Sequence, residues 1–251
     1  DHGKTISSKN LQTGAETTVF TADEGFGIDD YIVSPNGKYI SVWQVKMPAD
    51  SETLTNGFSR VYTYDTSSQI KYPIYDEIFG PATSVHYPIG ITDTGELYTD
   101  RFLSNSGEGW AFGMSKSDLT GTQKSNIASM NNGTYSSQPV ISPNGKYIAF
   151  AGYSGADGMQ EVAGIRRAIE NPNTVELLDL QNDQRYIIRE ASGKRLYPSI
   201  IWDKVSGNLF FVEALIDGKN FSFSQFSYNP LTRLTKTVIS PQNPGGNEKG
   251  I

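Results

Sequence analysis

The sequence predicts an all-β fold of repeated four-stranded antiparallel sheets, and three observations predict it. The first is composition: of 251 residues only 37% are hydrophobic and 19% charged, yet there are 25 Gly, 12 Pro and 12% aromatics. Turn-formers at that density beside bulky strand-formers describe many short strands joined by tight turns, and they exclude a helical bundle and a disordered chain. The second is a repeated string. Ser-Pro-Asn-Gly-Lys-Tyr-Ile occurs at Ser34–Ile40 and again at Ser142–Ile148, with diverged copies at Ile91–Tyr98 and Trp202–Phe210. The third is a second series of turns, opened by Asp or Asn, that alternates with the first.

Each copy of the string reads as an antiparallel hairpin. Val33, Ile91, Ile141 and Trp202 end an apolar strand, and Ser34, Thr92, Ser142 and Asp203 supply a short polar residue for the first turn position. Pro35 and Pro143 preset φ, and Gly37, Gly95, Gly145 and Gly207 permit positive φ. These glycines lie 58, 50 and 62 residues apart. A β-branched and aromatic run follows each turn, as in Tyr39–Trp43 and Leu209–Val212, which is strand composition. The second hairpins open at Asn10, Asp65, Asp118, Asp179 and Asn229, spaced 55, 53, 61 and 50 residues apart. Two alternating hairpins per repeat make a four-stranded sheet that cannot cover its own faces. Sheets of that kind stack as the blades of a β-propeller.

With strands a to d in chain order, four complete blades are predicted at about 29–75, 85–128, 137–189 and 198–239. Residues 4–20 supply only strands c and d of another, so there are five blade positions, closing by themselves or belonging to a larger ring. Residues 1–240 are read as the propeller domain and 241–251, rich in Pro, Gly and Asn, as a flexible tail. Among the connections, residues 152–173 hold a predicted helix, because Met159, Val162, Ile165 and Ile169 recur at helical spacing before Asn171-Pro172.

The stretch Gln138–Phe150, with Ser-Pro-Asn-Gly-Lys followed by Ile-Ala-Phe, resembles the TolB-type (WD40-like) β-propeller repeat, in which Asp usually stands where this chain has Asn144. The resemblance covers roughly residues 5 to 240. Related repeats occur in periplasmic TolB and in the propeller domains of prolyl-oligopeptidase-like enzymes. What the resemblance implies is a propeller in an extracytoplasmic compartment, periplasmic, secreted or surface-anchored. It implies little about activity, because the motif is a folding device.

Several chemistries are excluded or disfavoured by residue type alone. With no Cys, disulfides, thiolate metal sites and cysteine nucleophiles are absent, and with only His2 and His86 a multi-histidine metal site is impossible. A net charge of −6 argues against a nucleic-acid surface, and no apolar run approaches the roughly 18 residues of a spanning helix. Gly152-Tyr153-Ser154-Gly155-Ala156 lacks the last glycine and the βα context of a nucleophile elbow. A glycosidase needs two facing carboxylates. Asp23, Glu24, Asp29 and Asp30 cluster before and along the first innermost strand, with Asp76 and Glu77 in the next d–a connection, but acids there also serve as solvated turn residues. No cofactor or metal is expected. His86, Trp43, Trp110 and Trp202 read as blade-packing residues.

The reading that follows is a non-catalytic propeller that binds a protein or cell-envelope partner through the face carrying the b–c and d–a connections. Asp29 and Asp30 at the first innermost strand, with Tyr153, Arg166 and Arg167 on the long b–c insertion, are the predicted binding residues. The alternatives are a carbohydrate-active enzyme with carboxylates in the funnel, and an accessory propeller of a larger hydrolase.

Overall fold

The computed structural model describes residues 3–47, 57–79, 83–105, 108–127, 139–152, 159–162, 165–168, 174–190, 195–217 and 220–242. Among them every regular element is a strand. The chain divides into two compact units, Asp1–Asn126 and Ile127–Ile251.

The first unit opens with a hairpin of β1 (Thr5–Lys9) and β2 (Glu16–Thr21) that forms a two-stranded sheet. A four-stranded sheet follows in simple order, β3 (Gly27–Val33), β4 (Tyr39–Lys46), β5 (Gly57–Asp65) and β6 (Ile70–Phe79). The next, again in chain order, has β7 (Thr83–Ile91), β8 (Leu97–Asn105), β9 (Glu108–Ser117) and β10 (Lys124–Asn126). In the second unit β11 (Val140–Ile141) and β12 (Tyr147–Gly152) continue, past an inserted hairpin of β13 (Met159–Val162) and β14 (Ile165–Ala168), into β15 (Thr174–Asp179) and β16 (Gln184–Glu190). The last sheet is β17 (Arg195–Trp202), β18 (Leu209–Asp217), β19 (Asn220–Asn229) and β20 (Leu234–Gln242). All ladders are antiparallel. These are four four-stranded blades of a β-propeller and one half blade, as the two alternating turn series predict.

The Ser-Pro-Asn-Gly turns explain the hairpins atom by atom. The Gly37 N–H donates to the Ser34 carbonyl at 2.9 Å, and the Ser34 hydroxyl oxygen accepts the Tyr39 N–H at 3.0 Å. Gly145, Ser142 and Tyr147 repeat this at 2.9 and 2.9 Å, and both glycines hold φ near +70° (+74° and +67°). Asn144 fills the usual aspartate place because its side-chain carbonyl accepts both the Lys146 N–H at 3.0 Å and the Ser142 hydroxyl at 2.8 Å. The c–d turns use the Asx device. The side chains of Asn10, Asp65, Asp179 and Asn229 each accept the N–H two residues on, at 2.8 to 2.9 Å.

Three c–d turns place a residue with a Cβ at positive φ, Gln69 (60°), Asp183 (50°) and Arg233 (56°), where the half blade has Gly14. Left-handed backbone costs a residue with a Cβ about 1 kcal/mol. Gln69→Gly is therefore expected to stabilise the protein by about 0.5–1 kcal/mol, read as a higher urea midpoint with an unchanged slope.

Apolar side chains alternate onto the sheet faces and meet between neighbouring blades. Ile6 and Phe20 of the half blade pack on Ile28, Ile40, Val42 and Tyr64 of the first full blade. Tyr39, Val61 and Ile74 of that blade meet Ile91 and Leu97 of the next. In the second unit Ala149, Val175 and Leu177 face Trp202, Leu209, Phe211 and Phe226. Trp202 stacks on Tyr147 with ring centroids 6.4 Å apart and donates its indole N–H to the Val140 carbonyl.

Two expectations are corrected. The predicted helix in 152–173 is the β13–β14 hairpin, pairing Glu161 with Arg166 and Gln160 with Arg167. The apolar spacing of three also suits β-branched Val162 and Ile165 on two strands, and Gly164 inside a helix would cost about 1 kcal/mol. Pro241 and Gln242, assigned to the tail, belong to β20. Two register shifts in its ladder with β19 let Gln242 pair with Phe223.

Candidate functional site

The chemistry-bearing residues of the first unit gather where β4 runs into β5 and where β2 and β6 run into the next blade, the end that carries the b–c and d–a connections. The turn Asp23–Phe26, closed by the Phe26 N–H on the Asp23 carbonyl, precedes β3. It aims the Asp23 carboxylate across the sheet. One oxygen accepts from the Tyr62 hydroxyl at 2.7 Å and the Arg60 guanidinium at 3.2 Å; the other accepts from the Lys71 ammonium at 3.1 Å. Arg60 reaches Asp76 with its Nε at 3.2 Å and lies 4.4 Å from the centroid of the buried Phe26 ring. Fully buried Gln44 accepts the Asp23 N–H at 2.7 Å.

This network sets the protonation of its members. Partial burial alone would raise the Asp23 carboxyl, but the Tyr62, Lys71 and Arg60 donors outweigh it and hold the carboxyl below its ordinary value. Burial, with the hydrogen bond to Asp23, pushes the Tyr62 phenol up to about 12. A depressed carboxyl contributes stability that is complete above the unfolded-state value of about 4 and is lost as pH falls through the folded value. The raised phenol contributes below about pH 10, and its contribution is lost as pH rises toward its folded value. Asp23→Asn is accordingly expected to make unfolding less pH-dependent below about pH 4, while Tyr62→Phe flattens the alkaline limb; urea titrations across pH test both.

A second polar group lies between the two full blades of this unit. Glu77 accepts the His86 backbone N–H at 2.7 Å and sits 2.7 Å from His86 Nδ1, and the imidazole stacks on Tyr75 at 3.9 Å between centroids. Beside it the Tyr87 hydroxyl donates to fully buried Asp100 at 2.9 Å, and burial followed by the Asp100 charge drives that phenol far above its ordinary value. Trp43 packs against Tyr87 and donates to the Ser59 hydroxyl at 2.8 Å. His86 is thus locked by one carboxylate and one ring as an inter-blade tie.

The acids grouped by sequence position are separated by the fold. Asp23 and Asp76 share Arg60, and Glu77 engages His86. Asp29 and Asp30 are exposed on β3, where the pairing jumps from Ile28 with Gln44 to Asp30 with Trp43, leaving Asp29 as the extra residue of a bulge. The Asp30 carboxylate accepts the Tyr31 N–H at 2.7 Å. Arg166 and Arg167 lie on β14 of the inserted hairpin. Tyr153 lies outside the described residues, as do Ser154 and Gly155. Among the described residues no group of three or more His, Asp or Glu side chains is placed to hold a metal ion.

Two buried ion pairs of the second unit were not foreseen. Glu176 on β15 accepts from Arg185 at 2.7 and 3.0 Å and from the Thr174 hydroxyl at 2.9 Å. Glu213 on β18 is held by Arg189 at 3.0 Å. The signal was present. A lone acid inside Thr174-Val175-Glu176-Leu177-Leu178 or Phe210-Phe211-Val212-Glu213-Ala214 interrupts an apolar run, and a carboxylate there requires a partner.

Comparison with known proteins bears on the fold. No family model matches the chain, and no curated protein matches by sequence. Among solved structures it is similar to an oligogalacturonate lyase in complex with manganese, with a TM-score of 0.52 and 12% identity over 96% of this chain and 74% of that one. It is similar to the tricorn protease, with a TM-score of 0.56 and 12% identity over 97% of this chain and 25% of the protease. Oligopeptidase B from Leishmania major gives a TM-score of 0.55 and 8% identity over 97% of this chain and 31% of that one. At these identities the likeness establishes the β-propeller fold and leaves activity open.

Proposed function

We propose that this β-propeller, of TolB type in its turn motif, is a non-catalytic, extracytoplasmic binding module for a protein or cell-envelope partner, engaged through the end that carries the b–c and d–a connections. The observation that carries the proposal is the state of the carboxylates there. Asp23, Asp76 and Glu77 are tied to Arg60, Lys71 and His86, and the Asp23 carboxyl is held down, whereas a glycosidic general acid needs its value raised. Asp29 and Asp30, near the start of β3, are exposed. Fixed charges on a rigid strand suit recognition. Arg166 and Arg167 add a cationic element on the inserted hairpin.

The test is cross-linking in an envelope fraction, followed by measured affinity for the partner identified. Asp29→Lys with Asp30→Lys, and separately Arg166→Glu with Arg167→Glu, are expected to weaken that affinity at least about tenfold, a change of about 1.4 kcal/mol, without changing the melting temperature. Equal affinity for all three proteins removes this reading. So does turnover of oligosaccharides by the wild type that Asp29→Asn abolishes.

A second reading, the accessory propeller of a larger hydrolase, is favoured by one observation: the chain spans 25% and 31% of the tricorn protease and oligopeptidase B chains that it resembles. An open reading frame encoding a βα-rich segment contiguous with residues 1–251 supports it.

A further inference from the structure

Within each unit a polar tie crosses the seam between consecutive blades, and one of these ties differs in chemistry from the others. Where the half blade leads into the first full blade, Asp23 is held by Arg60 and Lys71 at 3.2 and 3.1 Å. In the second unit Arg189 of β16 reaches Glu213 of β18 at 3.0 Å. Guanidinium and ammonium groups do not change charge in neutral water, so such ties are permanent. Between the two full blades of the first unit, His86 stands in the place of the cation. Its Nδ1 lies 2.7 Å from Glu77 Oε1, and its backbone N–H donates to Glu77 Oε2 at 2.7 Å. Glu77 lies near the end of β6 and His86 near the start of β7, so one carboxylate clamps both sides of the d–a connection. The imidazole is 13% exposed and lies on the Tyr75 ring, 7° from parallel. Among the described residues His86 is the one side chain, in a chain without Cys, of a type that changes charge between about pH 5 and 8.

We propose that this seam is a pH-responsive joint, in which a proton gained by His86 turns its neutral hydrogen bond to Glu77 into an ion pair and tightens β6 against β7. An ionised carboxylate only accepts, so Nδ1 carries the hydrogen of the neutral ring and the added proton goes to Nε2. The carboxylate stays seated on the His86 N–H in both states, so the ring changes charge without changing partner. A charged ring strengthens the folded seam, so the joint is tightest at acid pH and loosens as the imidazole loses its proton.

The neighbouring charges modulate this contact. Arg101, the ladder partner of His86 on β8, shares its face and opposes the added charge. Lys124 of β10, 4.3 Å from the centroid of the Tyr75 ring, opposes it as well, and so does Lys46 on β4. Asp29 and Asp30 on β3, which packs against β7, favour it. Arg60 of β5 is taken up by Asp23 and Asp76. Of all these groups Glu77 is the one in hydrogen-bond contact with the imidazole. The joint is a property of the fold and does not depend on that end binding a partner.

The backbone N–H of residue 86 reports the joint directly, because its acceptor is the Glu77 side chain. Its hydrogen exchange in the full chain, followed by NMR and corrected for the intrinsic rate, is expected to be about tenfold more protected at about pH 5.5 than at about pH 8. His86→Gln cannot gain the charge, and Glu77→Gln keeps an acceptor for the N–H without the negative charge. Both should show equal protection at the two pH values, and whichever keeps the wild-type melting temperature decides. Arg101→Gln, which removes the opposing cation, should carry the protected state to higher pH. Equal protection of the wild type at both pH values overturns the proposal. So does a pH response that persists in the deciding Gln variant, or one that Arg101→Gln moves to lower pH.

Discussion

Arg185→Ala is expected to destabilise the second unit by about 3 kcal/mol, toward the lower end for a broken buried ion pair because the guanidinium is partly solvated. Glu176 is only 5% exposed, and both Arg185 contacts fall on one of its oxygens, while Thr174 holds the other. Without Arg185 the carboxylate is left buried without its cation. It has little room to turn: a Cβ on Gly152 would come within 2.3 Å of the Glu176 Oε1 atom. The guanidinium also lies 4.9 Å from the centroid of the fully buried Phe150 ring, so packing is lost with the charge. The paired replacement Arg185→Met with Glu176→Met should recover most of the loss, because two apolar side chains need no desolvated charge. Urea denaturation of the single and double variants decides the matter. A single-variant loss under about 1 kcal/mol, the range of an exposed pair, would mean that the carboxylate reaches water.

Phe211→Ala is expected to cost about 3–5 kcal/mol, in the range of large-to-small aromatic deletions in a core. Phe211 is 1% exposed, stacks on Phe226 with centroids 5.4 Å apart, and sits in the cluster that joins the two blades of its unit. Truncation removes contacts to both blades at once and leaves a cavity that rigid β-sheets close poorly. Phe211→Leu should cost less, about 1.5 kcal/mol. Melting temperatures should rank wild type, Leu and Ala in that order, with Ala lower than wild type by roughly 10 °C. Equal melting of the Leu and Ala variants would show that the core relaxes into the space.

How much was legible from sequence depends on whether an interaction is local. The hairpins were, because Ser34 to Tyr39 and Asp65 to Gln69 complete their turns within six residues, and composition shows that chemistry directly. Strand order within each sheet followed, since each hairpin leads into the next. Pairings between distant residues were not. Nothing in Asp23 announces Arg60, Tyr62 and Lys71, which reach it across a folded sheet, so acids clustered in sequence were grouped as one candidate funnel when three of them are tied to basic side chains. The lone acids in apolar strands, Asp100, Glu176 and Glu213, could have been flagged as buried and paired, although their partners could not have been named. The misread helix has a different cause. A spacing of three apolar residues serves both periods over a short stretch, and Gly164 was the residue that should have decided it.

The order of the ladders governs how this chain can fold. Nearly every ladder joins strands adjacent in sequence, so little entropy is lost in closing each contact and a blade can form as soon as its residues are available. Among the described residues one ladder departs from this rule: β12 must find β15 across the inserted β13–β14 hairpin. Closing that longer loop costs only about 0.6 kcal/mol more for each doubling of its length, so shortening residues 153–173 is expected to speed formation of the third blade modestly, read as a faster refolding phase in stopped-flow fluorescence.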